Sequence, residues 1–143
     1  MSNNKLRVVL DTNILLVSIS SKSIYHWIFK RLLEGGYKLF ITNEILTEYE
    51  EIISRKYNST VAKNVVRALL LLPNVYKVDI YYNWNLISND TDDNKFVDCA
   101  IAANAHALVT QDRHFNILKN IEFPKVTVIG VEEFEKIINS GKL

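Results

Sequence analysis

Four acidic residues stand where a parallel α/β fold would gather their carboxylates at one edge of its sheet. These acids are Asp11, Glu48, Asp98 and Asp112. Asp11 and Asp112 follow apolar runs that are typical of buried strands, whereas Glu48 and Asp98 lie in segments predicted to be helices. An open α/β sheet places its ligand site at the carboxyl ends of its strands. Convergence of the four acids there would create a site for a hard cation.

The chemistry of such a site follows from charge repulsion between its carboxylates. Two carboxylates about 4 Å apart repel by roughly 4 kcal/mol at an effective dielectric constant near 20. Four converging acids therefore need positive charge between them if all are to stay ionised. Carboxylate oxygens suit Mg²⁺ or Mn²⁺ better than zinc or copper, and Mg²⁺ binds substrate phosphates along with one or two carboxylates. The acids thus predict attack of water on a phosphodiester.

Asp98 carries the strongest physical argument of the four. Its helix is apolar nearly all round, from Phe96 to Ala103, which predicts that the helix is buried. An unpaired buried carboxylate costs several kcal/mol, so Asp98 needs a cation, a hydrogen-bond donor or a proton. Lys95 is the one basic residue three or four positions away on that helix. A metal ion is therefore favoured as its partner.

The other acids have ordinary explanations that the sequence leaves open. Asp11 could cap a following helix, and Asp112 could be a turn residue. Glu48 borders the apolar stripe of its helix no more closely than Glu50 does, so periodicity cannot choose between them.

Strands and helices alternate along the chain, which predicts one α/β domain over residues 1–143 with a parallel sheet flanked by helices on both faces. The predicted strands are Leu6–Leu10, Tyr37–Ile41, Val75–Val78, Ala107–Thr110 and Lys125–Ile129. The predicted helices span Ile24–Leu32, Ile45–Ile53, Val61–Leu72, Asn94–Ala105 and Val131–Ile138. Ser23 is predicted to cap the first of these helices, and Thr42 or Asn43 the second. Residues 83–93 are rich in Asn and Asp and predict a loop.

Composition narrows the class of protein. Hydrophobic residues make up 48% of the 143 residues and charged residues 23%, which predicts a globular chain rather than a disordered one. A single cysteine, Cys99, excludes an internal disulfide framework and a thiolate zinc cage. The polar N-terminus predicts no signal peptide, and no apolar run approaches the length of a membrane span. We therefore expect a cytoplasmic protein that has no membrane partner.

Four segments of the chain resemble the motifs of the PIN domain, a family of small metal-dependent ribonucleases found in many bacterial and archaeal toxin–antitoxin pairs. The segments are Val8–Asn13, the Glu48–Tyr49 part of its helix, Asp98–Ala103 and Val109–Asp112. They come in the family's order and span nearly the whole chain. A further segment, Asp92–Asp98, resembles the branch of the family described as toxins.

The resemblance implies a three-layer Rossmann-like fold and assigns roles to individual residues. Asp11, Glu48, Asp98 and Asp112 would form the metal-binding catalytic quartet, which selects Glu48 over Glu50. Asp93 would either add a carboxylate to the metal shell or only cap the helix at Asn94. Polar residues that orient the site would be Thr12, Asn13 and Thr110.

The activity that the resemblance implies is an Mg²⁺- or Mn²⁺-dependent endoribonuclease acting on single-stranded or looped RNA. Arg113, His114 and Lys22 are candidates for contacts with RNA phosphates. Tyr81, Tyr82 and Trp84 could stack on bases or simply pack a surface loop. A toxin role implies an antitoxin protein as partner, and family members often form homodimers. Residues 59–72 are a candidate dimer interface and an equally good core segment.

Other functions remain open at this stage. A phosphatase of the haloacid-dehalogenase type would need a second acid two positions after Asp11, where Asn13 stands. The chain could also be a non-catalytic RNA- or partner-binding module with the PIN fold. A housekeeping RNA-processing nuclease would use the same chemistry as a toxin.

Overall fold

The computed structural model describes residues 5–88 and 90–141 of the chain. At its centre is a five-stranded sheet in the order β3-β2-β1-β4-β5, in which every pair of neighbours is parallel. The strands are β1 (Arg7–Leu10), β2 (Lys38–Ile41), β3 (Val75–Lys77), β4 (Ala107–Val109) and β5 (Val128–Ile129). The predicted parallel α/β fold is therefore confirmed.

Helices occupy most of the connections between the strands. The described α-helices are α1 (Thr12–Ser18), α2 (His26–Leu33), α3 (Asn43–Lys56), α4 (Ser59–Leu71), α5 (Asn94–Ala102) and α6 (Val131–Ser140), and 3₁₀ helices span Thr91–Asp93 and Arg113–Asn120. From β1 the chain adds β2 and β3 on one side, then crosses back to add β4 and β5 on the other. Because crossovers between parallel strands are right-handed, connections that run in opposite directions lie on opposite faces of the sheet.

The two central strands carry no polar alternation because helices cover both of their faces. Val8, Val9 and Leu10 of β1 are fully buried, and so are Leu108 and Val109 of β4. Continuous apolar strands of this kind are typical of parallel sheets. They form the middle of a single hydrophobic core.

The seam between β1 and β4 is the point where the strand order reverses. Beyond the last paired residues, the backbone N–H of Asp11 donates to the carbonyl of Val109 at 3.1 Å. The segments that follow these two strands therefore leave the sheet side by side. This is the position at which open α/β sheets bind their ligands.

Tyr49 fixes the position of α3 against the same seam. Its ring is fully buried, and its hydroxyl donates to the carbonyl of Leu10 at 2.6 Å. Burial of a tyrosine requires a partner for its hydroxyl, and this partner is the last residue of β1. Glu48, the neighbour of Tyr49, is thereby held close to the end of that strand.

Some local features differ from the sequence predictions. Ser23 accepts a hydrogen bond from the backbone of Tyr25 in a turn, and α2 begins only at His26. Thr42 is the residue that caps α3, through a bond from the N–H of Ile45 at 3.1 Å. Helix α5 ends at Ala102 rather than at Ala105, before a left-handed residue at Asn104. Within the described residues, no helix is both long and apolar enough to cross a membrane.

Candidate metal and active site

Asp11 lies buried at the end of β1 and is bonded to the segment that follows β4. The hydroxyl of Thr110 donates to Asp11 Oδ2 at 2.8 Å and accepts the backbone N–H of Asp112 at 3.0 Å. Burial raises the pKa of Asp11, and the charges of Asp112 and Glu48 raise it further, against the lowering effect of the Thr110 bond. The charges of Asp112 and Glu48 therefore both act on Asp11.

Asp112 holds the first turn of the 3₁₀ helix that follows it. Its Oδ1 accepts the backbone N–H of His114 at 2.9 Å. This bond places the imidazole of His114 over a group of acids: Nδ1 lies 3.4 Å from Asp112 Oδ1, 3.6 Å from Asp93 Oδ2 and 3.7 Å from Asp90 Oδ2. The ring of His114 itself is half-exposed.

Asp93 brings another carboxylate to this group, from the residue just before α5. Its Oδ2 is buried and has no hydrogen-bond partner among the described residues. Burial raises the pKa of Asp93 to about 6, and the charges of Asp90, Asp112 and Asp11 add to the shift while His114 opposes it. A buried oxygen without a partner, among other acids, is the arrangement that a cation would relieve.

Glu48 has partners within the protein. Its Oε1 lies 2.6 Å from the ammonium of Lys95, and its Oε2 accepts a hydrogen bond from the hydroxyl of Thr12. Burial alone would lower the pKa of Lys95, but the bond to Glu48 and its charge outweigh burial and raise it. One corner of the acidic cluster is thus neutralised by an internal lysine rather than left for a metal ion.

The structure does not bring Asp98 to this cluster, in contrast to the sequence-based expectation. The Oδ1 atom of Asp98 accepts the backbone N–H of Trp84 at 3.1 Å. The charge that acts on Asp98 is that of Glu44, which is not an acid of the cluster. Burial, the largest cause, raises the pKa of Asp98. Five residues along an α-helix advance about 7.5 Å and turn through about 140°. Asp98 therefore cannot share the position that Asp93 holds at the start of α5.

A rule of connectivity could have identified Asp93 from the sequence. A helix that joins two parallel strands runs antiparallel to them, so its N-terminus lies at their carboxyl edge. The acid at the start of α5 is therefore the one that faces the ends of β1 and β4. Asp98 stands further down the helix, where the strands pass through the core.

The remaining predicted residues fall into two groups. Thr12 and Thr110 each donate a hydrogen bond to an acid of the cluster. Asn13, Lys22 and Arg113 are exposed. Arg113 lines a groove of about 220 Å³ together with Asp112, Asn116 and Lys119.

The residues present fit a divalent cation. Asp11, Asp93 and Asp112 offer oxygen ligands, which Mg²⁺ and Mn²⁺ prefer, and Asp93 Oδ2 accepts no hydrogen bond from the described residues. Asp90, Asp93 and His114 also present ligand atoms that lie within 4.8 Å of one another. The bonds from Thr110 and His114 hold two of the carboxylates in place, as the second shell of a metal site does.

The model of the PIN domain family matches residues 7–114, which include every acid of the cluster. The chain belongs to the PIN domain family. Its fold is also similar to that of VapBC2 from Rickettsia felis, solved bound to a DNA fragment from its promoter. That match has a TM-score of 0.61 and 19% identity, and covers 87% of this chain and 98% of the other.

A second PIN-domain structure of similar fold is Mycobacterium tuberculosis VapC20, described as a toxin that cleaves the sarcin–ricin loop. The TM-score is 0.57 and the identity 14%, over 76% of this chain and 92% of the other. A search of curated protein sequences found no match. At these identities the likeness to the two structures establishes the fold.

Proposed function

We propose that this PIN domain is a metal-dependent endoribonuclease and the toxin of a toxin–antitoxin pair. The observation that carries the proposal is the buried Oδ2 of Asp93, which has no hydrogen-bond partner among the described residues and on which the charges of Asp90, Asp112 and Asp11 act. In this assignment Asp93 takes the position that the sequence analysis gave to Asp98.

Each residue of the cluster has a role in this proposal. Asp11, Asp93 and Asp112 would hold Mg²⁺ or Mn²⁺, which when bound lowers the pKa of water and offsets charge on phosphate oxygens. Thr110 keeps two of the ligands in register through its paired hydrogen bonds. Glu48, bonded to Thr12 and Lys95, closes the side of the site formed by α3.

The substrate is proposed to be single-stranded or looped RNA, whose backbone can enter an open site and whose bases can splay outward. Arg113 and Lys119 line the groove next to Asp112 and supply positive charge for phosphates that flank the cleaved bond. His114 stands at the rim with a half-exposed ring and can contact the same phosphates. Lys22 stays a candidate for a more distant contact.

The toxin role rests on the two similar structures. One is described as a toxin that cleaves the sarcin–ricin loop, and the other is a VapBC complex bound to DNA. An antitoxin would be a protein that covers the acidic site. A homodimer also stays a prediction, and the exposed Leu70 and Leu71 of α4 offer apolar surface for it.

The test incubates purified protein with a fluorescently labelled single-stranded RNA and Mn²⁺ or Mg²⁺. We expect cleavage that EDTA and the Asp11→Asn variant abolish, while Glu135→Gln, an exposed change on α6, leaves it intact. A DNA oligonucleotide of the same sequence tests the preference for RNA. Cleavage that survives both EDTA and Asp11→Asn would come from a contaminant, and binding without any cleavage would point to a non-catalytic module.

Expression in a bacterial host tests the toxin role separately. Growth arrest that requires Asp11 supports a toxin. Normal growth, combined with cleavage in vitro, would instead favour a housekeeping RNA-processing nuclease.

A further inference from the structure

A groove of about 320 Å³ lies beside α5, on the side to which Asp98 turns. The segment that follows β3 forms one wall of it, and α5 forms the other. Its lining includes Asp79, Tyr81, Tyr82, Trp84, Asp98 and Ile101. The volume corresponds to that of about ten water molecules, which is enough for a long side chain.

Asp98 is the buried carboxylate of this groove. The residue is only 6% exposed, and one of its carboxylate oxygens accepts the backbone N–H of Trp84. No described residue donates a hydrogen bond to the other oxygen. Lys95, one turn earlier on α5, is bonded to Glu48 instead. A buried carboxylate with one free acceptor atom facing a groove is suited to a donor that arrives from another molecule.

Aromatic rings form the mouth of the groove. Tyr82 and Trp84 pack edge to face with their centroids 4.7 Å apart, and Phe123 packs against Trp84 at 6.2 Å. Tyr81, Tyr82 and Phe123 are 91%, 65% and 82% exposed. Neighbouring exposed rings of this kind mark interaction sites more often than single exposed residues do.

We propose that this groove binds the guanidinium group of an arginine carried by a segment of a partner protein. Arginine pairs with carboxylates through a planar fork of donors and also stacks on aromatic rings. The groove offers both features, a free carboxylate oxygen and rings at its mouth. Ile101 provides apolar surface for the methylene stem of the side chain or for a neighbouring residue of the partner.

The charges favour a cationic protein segment over RNA as the occupant. Asp79 lines the groove together with Asp98, and the charge of Glu44 acts on Asp98 from α3. A phosphate backbone would be repelled by these carboxylates. The inference goes beyond the proposed function, because the groove contains none of the residues to which we assign cleavage.

The test uses the fluorescence of Trp84 in a Trp27→Phe background, in which Trp84 is the remaining tryptophan. The probe is the capped tripeptide Leu-Arg-Leu at millimolar concentration. A matched peptide carries citrulline, which keeps the shape of arginine without its charge. We expect the arginine peptide to produce a saturable change in Trp84 fluorescence. The citrulline peptide should bind at least tenfold more weakly, and Asp98→Asn should weaken binding of the arginine peptide by a similar factor. Asn keeps an oxygen for the Trp84 N–H, and Glu135→Gln serves as the charge control.

The outcomes are distinguishable from one another. Equal binding of the arginine and citrulline peptides, or equal binding to Asp98→Asn, would overturn the proposal in favour of an unspecific apolar contact. A change produced by an oligouridine and not by the arginine peptide would overturn it in favour of a base-stacking surface. RNA cleavage measured on the same preparations reports independently on the proposed nuclease activity, so one hypothesis can fail while the other stands.

Discussion

Thr110 donates its hydroxyl hydrogen to Asp11 Oδ2 at 2.8 Å, across 99 positions of the sequence. The hydroxyl oxygen of Thr110 in turn accepts the backbone N–H of Asp112, so one side chain fixes the spacing of two acids. We expect Thr110→Val, which keeps the shape and removes the hydroxyl, to lower the rate of RNA cleavage about tenfold to a hundredfold, as loss of an outer-shell partner does. Thr110→Ser should retain most of the rate.

The measurement is the single-turnover rate at saturating Mn²⁺, with the unfolding midpoint recorded for each variant. Equal losses for the Val and Ser variants would mean that the methyl group, rather than the hydrogen bond, matters at this position.

Substitution of Asp93 and of Asp98, which lie five residues apart, should lower the rate of cleavage by different amounts. Asp93→Asn should lower the rate of cleavage by more than the roughly 100-fold seen for outer-shell groups, because it removes a proposed ligand. Asp98→Asn should cost less than about tenfold, since its bond to Trp84 can be kept by the amide oxygen. The assay measures cleavage at several Mn²⁺ concentrations, and the opposite order of losses would restore Asp98 to the site.

The raised pKa of Asp93 predicts how the stability of the metal-free protein depends on pH. In the unfolded chain its pKa is 3.8, and in the fold it is about 6. The folded protein therefore binds the proton of Asp93 more tightly than the unfolded chain does. The contribution of Asp93 to the free energy of unfolding is greatest at low pH and is lost as the pH rises from about 4 to about 6.

Replacement of Asp93 by Asn removes this loss. At pH 7 in EDTA we expect Asp93→Asn to be more stable than the parent by roughly 1 kcal/mol, a value well below the full linkage energy because water reaches the rim of the site. Urea unfolding at pH 4 and pH 7 measures the difference. A parent and a variant with the same pH dependence would contradict it.

If the ion pair of Lys95 and Glu48 is broken, we expect a bound metal ion to offset part of the lost stability. Both side chains are largely buried, with 10% and 25% of their surface exposed. Lys95→Met should leave Glu48 without its cation and destabilise the metal-free protein by about 1–3 kcal/mol. Mg²⁺ or Mn²⁺ should then raise the melting temperature more in the variant than in the parent.

The matched control is Arg55→Met, which breaks the exposed pair of Arg55 and Glu51 on α3. An exposed pair of this kind contributes at most about 0.5 kcal/mol. Similar losses for the two variants would show that the Lys95 pair adds nothing beyond ordinary surface charge.

The strands of the sheet could be predicted because each is a short apolar run. Such a run is buried whatever the exact packing of its side chains and whatever path the loops take. The sequence placed Asp11 and Asp112 correctly at the ends of β1 and β4 for the same reason. It also predicted that Asp98 is buried and needs a partner, but not that the backbone of Trp84 supplies one. That bond depends on the path of an irregular segment, which no periodicity reveals. The Lys95–Glu48 contact depends likewise on the reach of a long side chain between two helices.

The bond between Asp11 and Thr110 also has a consequence for biosynthesis. Thr110, which follows β4 and donates to Asp11, is synthesised 99 residues after Asp11. Until then Asp11 has neither its hydroxyl donor nor its neighbouring acid. Under the proposed nuclease function, a nascent chain that has not yet reached β4 lacks the complete acidic site, and we expect it not to cleave RNA.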